Sequence, residues 1–111
     1  MSIELTVVAN KSDFDSFIEV FFLGHEDFSH ITRDEIVSWG MEGIVCKFTR
    51  PFLPNETTLE EVVTRYPSLF LKLTWTSPCG ASVMYVGREE CLRFFEWKDV
   101  SQEEEMAFRS H

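Results

Sequence analysis

The stretch from Thr57 to Trp97 most constrains the fold, because one helix pattern and three strand patterns follow one another in it. Its first apolar residues recur at the spacing of a single helix face, at Leu59, Val62, Val63 and Tyr66. Thr57 or Thr58 can cap this helix. Pro67 cannot continue a helix and disfavours helical backbone at the residue before it, so the chain is predicted to become extended there.

Residues 69–76 alternate between an apolar face and a mixed face, as a strand does. The apolar face consists of Leu69, Leu71, Leu73 and Trp75. A mixed opposite face is expected of a sheet that helices cover on one side only. Two further short strands are predicted over residues 81–86 and 91–97, after turns rich in small, charged or proline residues. The three strands together predict an antiparallel meander.

The first half of the chain predicts a strand, a helix and a second strand. Residues 3–9 alternate as a strand, and residues 44–48 do so again. Ser12 can cap the helix between them, and Gly24 suits the left-handed position after its end. One stripe of this helix is apolar, at Phe14, Phe17, Ile18, Phe21 and Phe22, which predicts packing on the sheet.

Residues 25–43 are the least regular part of the sequence, and we expect a surface excursion with one or two helical turns. Thr32 with Glu35 can cap a short helix that runs into Ile36, Val37 and Trp39. Binding residues concentrate on such loops, so a binding site is expected here. The excursion also holds possible metal ligands, but their spacing fits no closed zinc site: His25, Glu26, Asp27 and His30. No metal or other cofactor is predicted.

The order of these elements predicts an α+β sandwich with a mostly antiparallel sheet and helices packed on one face. The length of 111 residues predicts a single domain spanning residues 1–111. Within it, residues 101–111 are predicted to form a peripheral acidic helix at the C-terminus, because Ser101 with Glu104 can cap it.

Several segments of the chain resemble a known family. They are ELTVVANKSDFDSFIEVFF, IVCKFTRPFLPN, TTLEEVVTRYP and SLFLKLTWTSPCGASVMYVG. In these segments a strand ends in aromatic and proline residues, a helix closes with aromatic-Pro, and a strand runs into a glycine-containing turn. The pattern resembles the YubB-type (Api92-like) domains carried on plasmids and phages. That resemblance implies a ferredoxin-like sandwich and an accessory protein of a mobile element.

Composition limits the class of partner and the compartment. The formal net charge is −9 without any cluster of Lys or Arg, which disfavours direct binding to nucleic acid and favours a basic partner. No segment has the length and apolarity of a membrane span, and the start lacks a signal-peptide pattern. Three cysteines without metal-ligand spacing predict reduced thiols rather than a disulfide framework. We therefore expect a protein of the host cell cytosol.

Motifs for catalysis are missing from the sequence. There is no phosphate-binding Gly-rich loop, GxSxG, HExxH or CxxC. A cysteine beside His25 or His30 would be needed for a nucleophile and its base, and nothing in the sequence brings them together. We therefore expect no enzyme.

The leading functional hypothesis is a non-catalytic, acidic protein that occludes the basic, nucleic-acid-binding surface of a partner. The partner would be a nuclease, a defence effector or a toxin, and the protein an inhibitor of the anti-CRISPR or other anti-defence type, a DNA mimic, or an immunity protein. The predicted contacts are the acidic residues Asp13, Asp15, Glu19, Glu26, Asp27, Asp34, Glu35, Glu60 and Glu61. Two alternatives remain open. One is a small-molecule or nucleotide-binding module with a pocket between the excursion and the sheet, in which Trp39, Trp75 and Trp97 are possible stacking surfaces. The other is a homodimer paired through a sheet edge.

Overall fold

The structure is a computed structural model that describes residues 2–78 and 82–97. The strands of this part are β1 (Ser2–Val8), β2 (Ile36–Trp39), β3 (Gly43–Thr49), β4 (Phe70–Thr76), β5 (Ser82–Arg88) and β6 (Cys91–Trp97). Its helices are α1 (Lys11–Phe17), α2 (Glu26–Ser29) and α3 (Glu56–Arg65). A π-helical turn, Ile18–Phe22, extends α1, and a 3-10 turn, Arg33–Glu35, precedes β2. The predicted helix at 101–111 and residues 79 and 80 of the turn at 77–80 lie outside the described residues.

The described strands form one sheet in the order β2-β3-β1-β4-β5-β6, and all neighbours in it are antiparallel. At its centre, Leu5 of β1 lies opposite Cys46 of β3 on one side and Leu73 of β4 on the other. The predicted α+β class, the mostly antiparallel sheet and the meander of the last three strands are confirmed. The order of the first four strands, with helices after β1 and β3, is compatible with a ferredoxin-like sandwich, which stays a prediction.

One face of the sheet carries the core. Its buried side chains come from the central strands: Ile3, Leu5 and Val7 of β1, Ile44, Cys46 and Phe48 of β3, and Leu71 and Leu73 of β4. Against them pack the apolar sides of the helices, at Phe14, Phe17, Phe21, Phe22, Phe28, Leu59, Val62 and Val63. Side chains at the intervening strand positions stay largely accessible, as the alternation along β1 shows. The prediction that helices pack on one face is therefore confirmed.

The first helix begins and ends differently from the prediction. Asn10, not Ser12, is its N-cap, and the Asn10 side chain accepts the amide hydrogen of Asp13 at 2.9 Å. Beyond α1 the chain widens into the π-helical turn, where Leu23 N–H donates to the Ile18 carbonyl at 2.9 Å. Gly24 follows outside the left-handed region, and a Cβ there would lie 2.7 Å from the Val20 carbonyl oxygen. Glycine is therefore required by a close backbone approach, not by a left-handed cap.

The prediction of a short helix after Thr32 is correct for its first turn only and is wrong for the residues that follow. The capping box between Thr32 and Glu35 does form, but the helix ends there as a 3-10 turn. The next four residues form β2 instead, which pairs with β3 through a bulge between Ile36 and Ser38. Pairing on the sheet half-buries Ile36, and its β-branched neighbour Val37 also favours a strand. Tertiary pairing thus overrides the local helix-start signal.

The start of α3 also differs from the prediction. Asn55 is its N-cap and accepts the amide hydrogen of Thr57 at 3.0 Å. Thr58 is buried, and its hydroxyl donates to Asp27 Oδ2 at 2.6 Å. The predicted end is confirmed, since Tyr66 is already extended at φ −120° and ψ 93° before Pro67.

The contact between β5 and α3 supplies a stability test. A Cβ added to Gly87 would overlap Cγ2 of the buried Val63, whose β-branched side chain has little freedom to move away. We expect Gly87→Ala to lower the free energy of unfolding by about 1–3 kcal/mol, measured by urea denaturation. Gly40→Ala is the matched control, because the nearest atom to its added Cβ is 4.0 Å away. Equal stability of the two variants would contradict this packing.

Candidate functional site

All of the acidic residues predicted to contact a partner lie on the helical segments. Asp13 and Asp15 belong to α1, and Glu19 to the π-helical turn. Glu26 and Asp27 belong to α2, Asp34 and Glu35 to the 3-10 turn, and Glu60 and Glu61 to α3. The exposed members are Asp15, Glu19, Glu26, Asp34, Glu60 and Glu61, which we call the acidic layer.

The remaining three acidic residues are hydrogen-bonded within the fold. Asp13 Oδ2 accepts two hydrogen bonds from Ser68, one from its hydroxyl at 2.6 Å and one from its backbone amide at 3.2 Å. Asp27 Oδ2 accepts the Thr58 hydroxyl and, at 3.2 Å, the amide hydrogen of Asn55. These contacts tie the start of α1 to the chain before β4, and α2 to the start of α3. Asp13 and Asp27 therefore position the helices that carry the acidic layer.

Glu35 forms the strongest of these contacts, a two-pronged ion pair with Arg50. Arg50 Nη1 donates to Glu35 Oε2 at 2.8 Å and Nη2 donates to Oε1 at 2.6 Å. The same oxygen, Oε1, accepts the amide hydrogen of Thr32 at 2.9 Å. Hydrogen bonding from Arg50 lowers the pKa of Glu35 from 4.5 to about 2, against the opposing effect of burial. Parallel guanidinium–carboxylate bonds of this kind are strong and directional.

Arg50 also holds the histidine at the end of α2. Its Nε donates to His30 Nδ1 at 3.0 Å, and its Nη2 donates to the His30 carbonyl at 2.9 Å. With Nδ1 accepting, His30 carries its hydrogen on Nε2, which lies 2.9 Å from the carbonyl oxygen of Asp27. The ring packs edge-on against Phe48 and Phe52. Arg50 thus ties the excursion to the end of β3.

Three of the four possible metal ligands, all except the exposed Glu26, form hydrogen bonds within the fold. His25 Nδ1 accepts the amide hydrogen of Asp27 at 3.1 Å and caps α2. Within residues 2–78 and 82–97, no group of three or more His, Cys, Asp or Glu side chains is placed to hold a metal ion. Burial raises the pKa of the Cys46 thiol to about 11, with the Glu35 charge adding to the effect. Cys46 is therefore a protonated core residue, Cys91 is exposed on β6, and Cys79 lies outside the described residues.

A groove lies between the π-helical turn and the edge of the sheet. Its volume is about 530 Å³, and it is lined by Phe22, Leu23, Ile31, Arg33, Ile36, Val37, Ser38 and Trp39. We call it the β2 groove. The ring of the buried Phe22 meets the Trp39 indole edge-on, with centroids 5.8 Å apart. Of the tryptophans considered as stacking surfaces, Trp39 lines this groove, whereas Trp75 lies on β4 and does not line it.

The sequence predicts a binding site in the excursion, which contains six of the eight residues that line the groove, but it does not predict the walls of the groove. Leu23 does not belong to the predicted stripe of α1, so it carries no signal on its own. Val37 and Trp39 are predicted inside a short helix and not on an edge strand. A further available signal is the surplus of apolar residues in this irregular segment.

Comparisons with family models, with curated proteins and with solved structures find no match to this chain. The resemblance to the YubB-type domains therefore stays a prediction. None of the helices in the described ranges is long and apolar enough to cross a membrane.

The ion pair between Glu35 and Arg50 predicts a specific pH dependence. Because folding lowers the pKa of Glu35, its contribution to stability is complete above pH 4.5 and is lost as the pH falls towards about 2. Glu35→Gln should lower the free energy of unfolding by about 1–3 kcal/mol at pH 7. That difference should shrink across the acid range in urea titrations of the two proteins.

Asp34→Asn is the matched control for this experiment. Asp34 is the exposed neighbour of Glu35, and within the described part of the chain its side chain has no hydrogen bond or ion pair. Removal of the Asp34 charge should change the free energy of unfolding by less than about 0.5 kcal/mol at every pH. A Glu35→Gln deficit that stays constant from pH 7 to the acid limit would show that the carboxylate charge is not what stabilises the excursion.

Proposed function

We propose that this protein is a non-catalytic binding protein that presents the acidic layer to a basic surface of a partner protein and thereby occludes it. The observation that carries the proposal is the separation of charge between the two sides of the sheet. Acidic residues outnumber basic ones on the helical segments of residues 2–78 and 82–97, whose lysines and arginines are Lys11, Arg33 and Arg65.

The opposite side of the sheet has the reverse balance. By strand register, Glu4 points to the same side as Lys47, Lys72, Arg88 and Arg93. It is the only acidic residue at these strand positions in the described part of the chain. Among the described residues, negative charge is therefore concentrated towards the helical side instead of being spread evenly. An uneven field of this kind steers a cationic partner towards one face.

Internal hydrogen bonds position the helical segments that carry the acidic layer. Asp13, Asp27 and Glu35 form the internal hydrogen bonds that position α1, α2 and the 3-10 turn. The exposed carboxylates beside them are free to meet a partner's cations, and pre-positioned charge reduces the ordering cost of association. A surface that binds phosphates would supply suitable cations, which favours a nuclease, a defence effector or a toxin as the partner.

The identity of the partner is tested by pull-down of the tagged protein from host and phage-infected lysates, with nuclease treatment, at low and high salt. One stoichiometric protein that remains without nucleic acid and weakens with salt supports the proposal. A partner that is lost on nuclease treatment, or no partner under either condition, contradicts it. Light scattering at several concentrations separates the homodimer hypothesis from these outcomes.

The contribution of the acidic layer is tested on the purified partner with Glu60→Lys/Glu61→Lys. Both residues are exposed on α3. We expect the association rate to fall about tenfold at low salt and its salt dependence to flatten, because oriented charge acts mainly on the encounter step. Stopped-flow kinetics over a salt series measures both effects.

The matched control is Glu89→Lys/Glu90→Lys, which makes the same change in net charge in the turn between β5 and β6. Both residues are exposed there, and the ion pair between Arg88 and Glu89 is long at 3.9 Å. This control should have the smaller effect on the association rate. Equal slowing by both variants would mean that total charge, not the acidic layer, governs binding.

A further inference from the structure

We propose that the β2 groove and the open edge of β2 together bind an extended peptide segment of a partner, which adds a strand to the sheet and places a carboxylate at Arg33. This surface is distinct from the acidic layer, and the inference does not depend on the function proposed above. It assigns a second mode of binding, through backbone hydrogen bonds and apolar contacts.

The first observation is the edge itself. In the part of the chain that the structure describes, β2 pairs only with β3, so its other side has no strand beside it. An edge strand presents unpaired backbone N–H and C=O groups, and proteins usually protect such edges with charged residues or proline. The sequence of β2 is Ile-Val-Ser-Trp, which contains neither. Its bulge lies between Ile36 and Ser38, and bulges are frequent beside binding sites.

The second observation is a cluster of exposed apolar side chains around this edge. Val37 is 60% exposed and Trp39 49% exposed on β2. Leu23, at the end of the π-helical turn, is 63% exposed, and Met41, just after β2, is 69% exposed. Leaving such residues in water forgoes the free energy that their burial would supply. Leu23, Val37 and Trp39 line the same groove, and contiguous exposed apolar surface of this kind marks a contact site.

The groove and the edge fit the two needs of an added strand. In strand addition, main-chain hydrogen bonds supply affinity and alternate side chains of the peptide enter a neighbouring pocket. The β2 groove lies directly beside the edge and is walled by Phe22, Leu23 and Ile31. Every second side chain of an added strand would point to the groove side. An extended apolar peptide uses both features at once.

The charges at the groove favour a peptide that carries a carboxylate over a second copy of this chain. Arg33 lines the groove and is exposed, and its side chain forms no ion pair or hydrogen bond with the residues that the structure describes. A peptide carboxylate would neutralise this cation. Two copies joined at β2 would instead bring together two chains that each carry a net charge of −9. Self-repulsion opposes that pairing.

The probes are two synthetic peptides with the same residues in reversed order, so that Glu stands at the C-terminal end of one and at the N-terminal end of the other. They are acetyl-Thr-Val-Thr-Val-Thr-Glu-amide and acetyl-Glu-Thr-Val-Thr-Val-Thr-amide. Each is titrated into the full-length ¹⁵N-labelled protein. We expect saturable binding of at least one peptide, with shifts concentrated at the amides of residues 36–39 and at Leu23. The same peptide with both of its central residues replaced by Pro should not bind, because one of any two consecutive residues in an added strand points its N–H at β2, and proline removes that donor.

Three variants locate the site. Val37→Lys places a protecting charge on the edge and should weaken binding at least about tenfold. Val8→Lys is the matched control, an exposed valine on the central strand β1 that should leave binding unchanged. Arg33→Glu should weaken the glutamate peptide by about two- to fivefold, the range for one exposed ion pair, and should favour a peptide with Lys in place of Glu. Circular dichroism verifies the fold of each variant.

Several results would overturn the inference. They are no saturable binding by either glutamate peptide, equal binding of the proline peptide, or shifts that map away from residues 36–39. A concentration-dependent dimer that Val37→Lys dissociates would assign the edge to a second copy instead. Failure of the acidic-layer variants to slow association would leave these peptide titrations unaffected, so the two proposals fail independently.

Discussion

One-sided burial of the central strand is the constraint on which the rest of the structure depends. Ile3, Leu5 and Val7 of β1 are fully buried between β3 and β4 and beneath the helices, while Glu4 on the same strand is exposed. A slip of one residue would exchange these two faces, so register and helix placement are determined together. The helices must all lie on one side, and the acidic residues on their outer surfaces consequently share that side.

Most helices and strands of this architecture could be predicted from the periodic spacing of apolar residues. The strand β2 could not, because it depends on pairing with residues distant in the sequence. The alternation of β1, β3 and β4 and the stripes of α1 and α3 each follow from burial against one partner. β2 is different, because Thr32 with Glu35 forms a genuine capping box directly before it. Only the pairing of Ile36 with Cys46 of β3 shows why the chain leaves the helix there, and that partner is not visible in the local sequence.

The candidate site also has features that the sequence predicts and features that only long-range contacts determine. The acidic character of the helices could be predicted from composition and pattern, but not which carboxylates the fold itself uses. Asp13 bonds to a residue 55 positions away, Asp27 to one 31 away and Glu35 to one 15 away. The sequence predicts a binding site in the excursion but not the walls of the β2 groove, since these come largely from the π-helical turn and from an edge strand whose sequence predicts a helix.

Arg50 links the two proposed surfaces. By binding Glu35 and His30 it holds the excursion against the end of β3, and the excursion carries both Asp34 of the acidic layer and Arg33 of the β2 groove. Long-range attraction and short-range strand pairing act at different distances, because Coulomb steering extends to about 10 Å at 0.1 M salt whereas backbone bonds require contact. A partner with a basic surface and an adjacent extended segment would therefore be oriented by the acidic layer first and held by the edge of β2 afterwards.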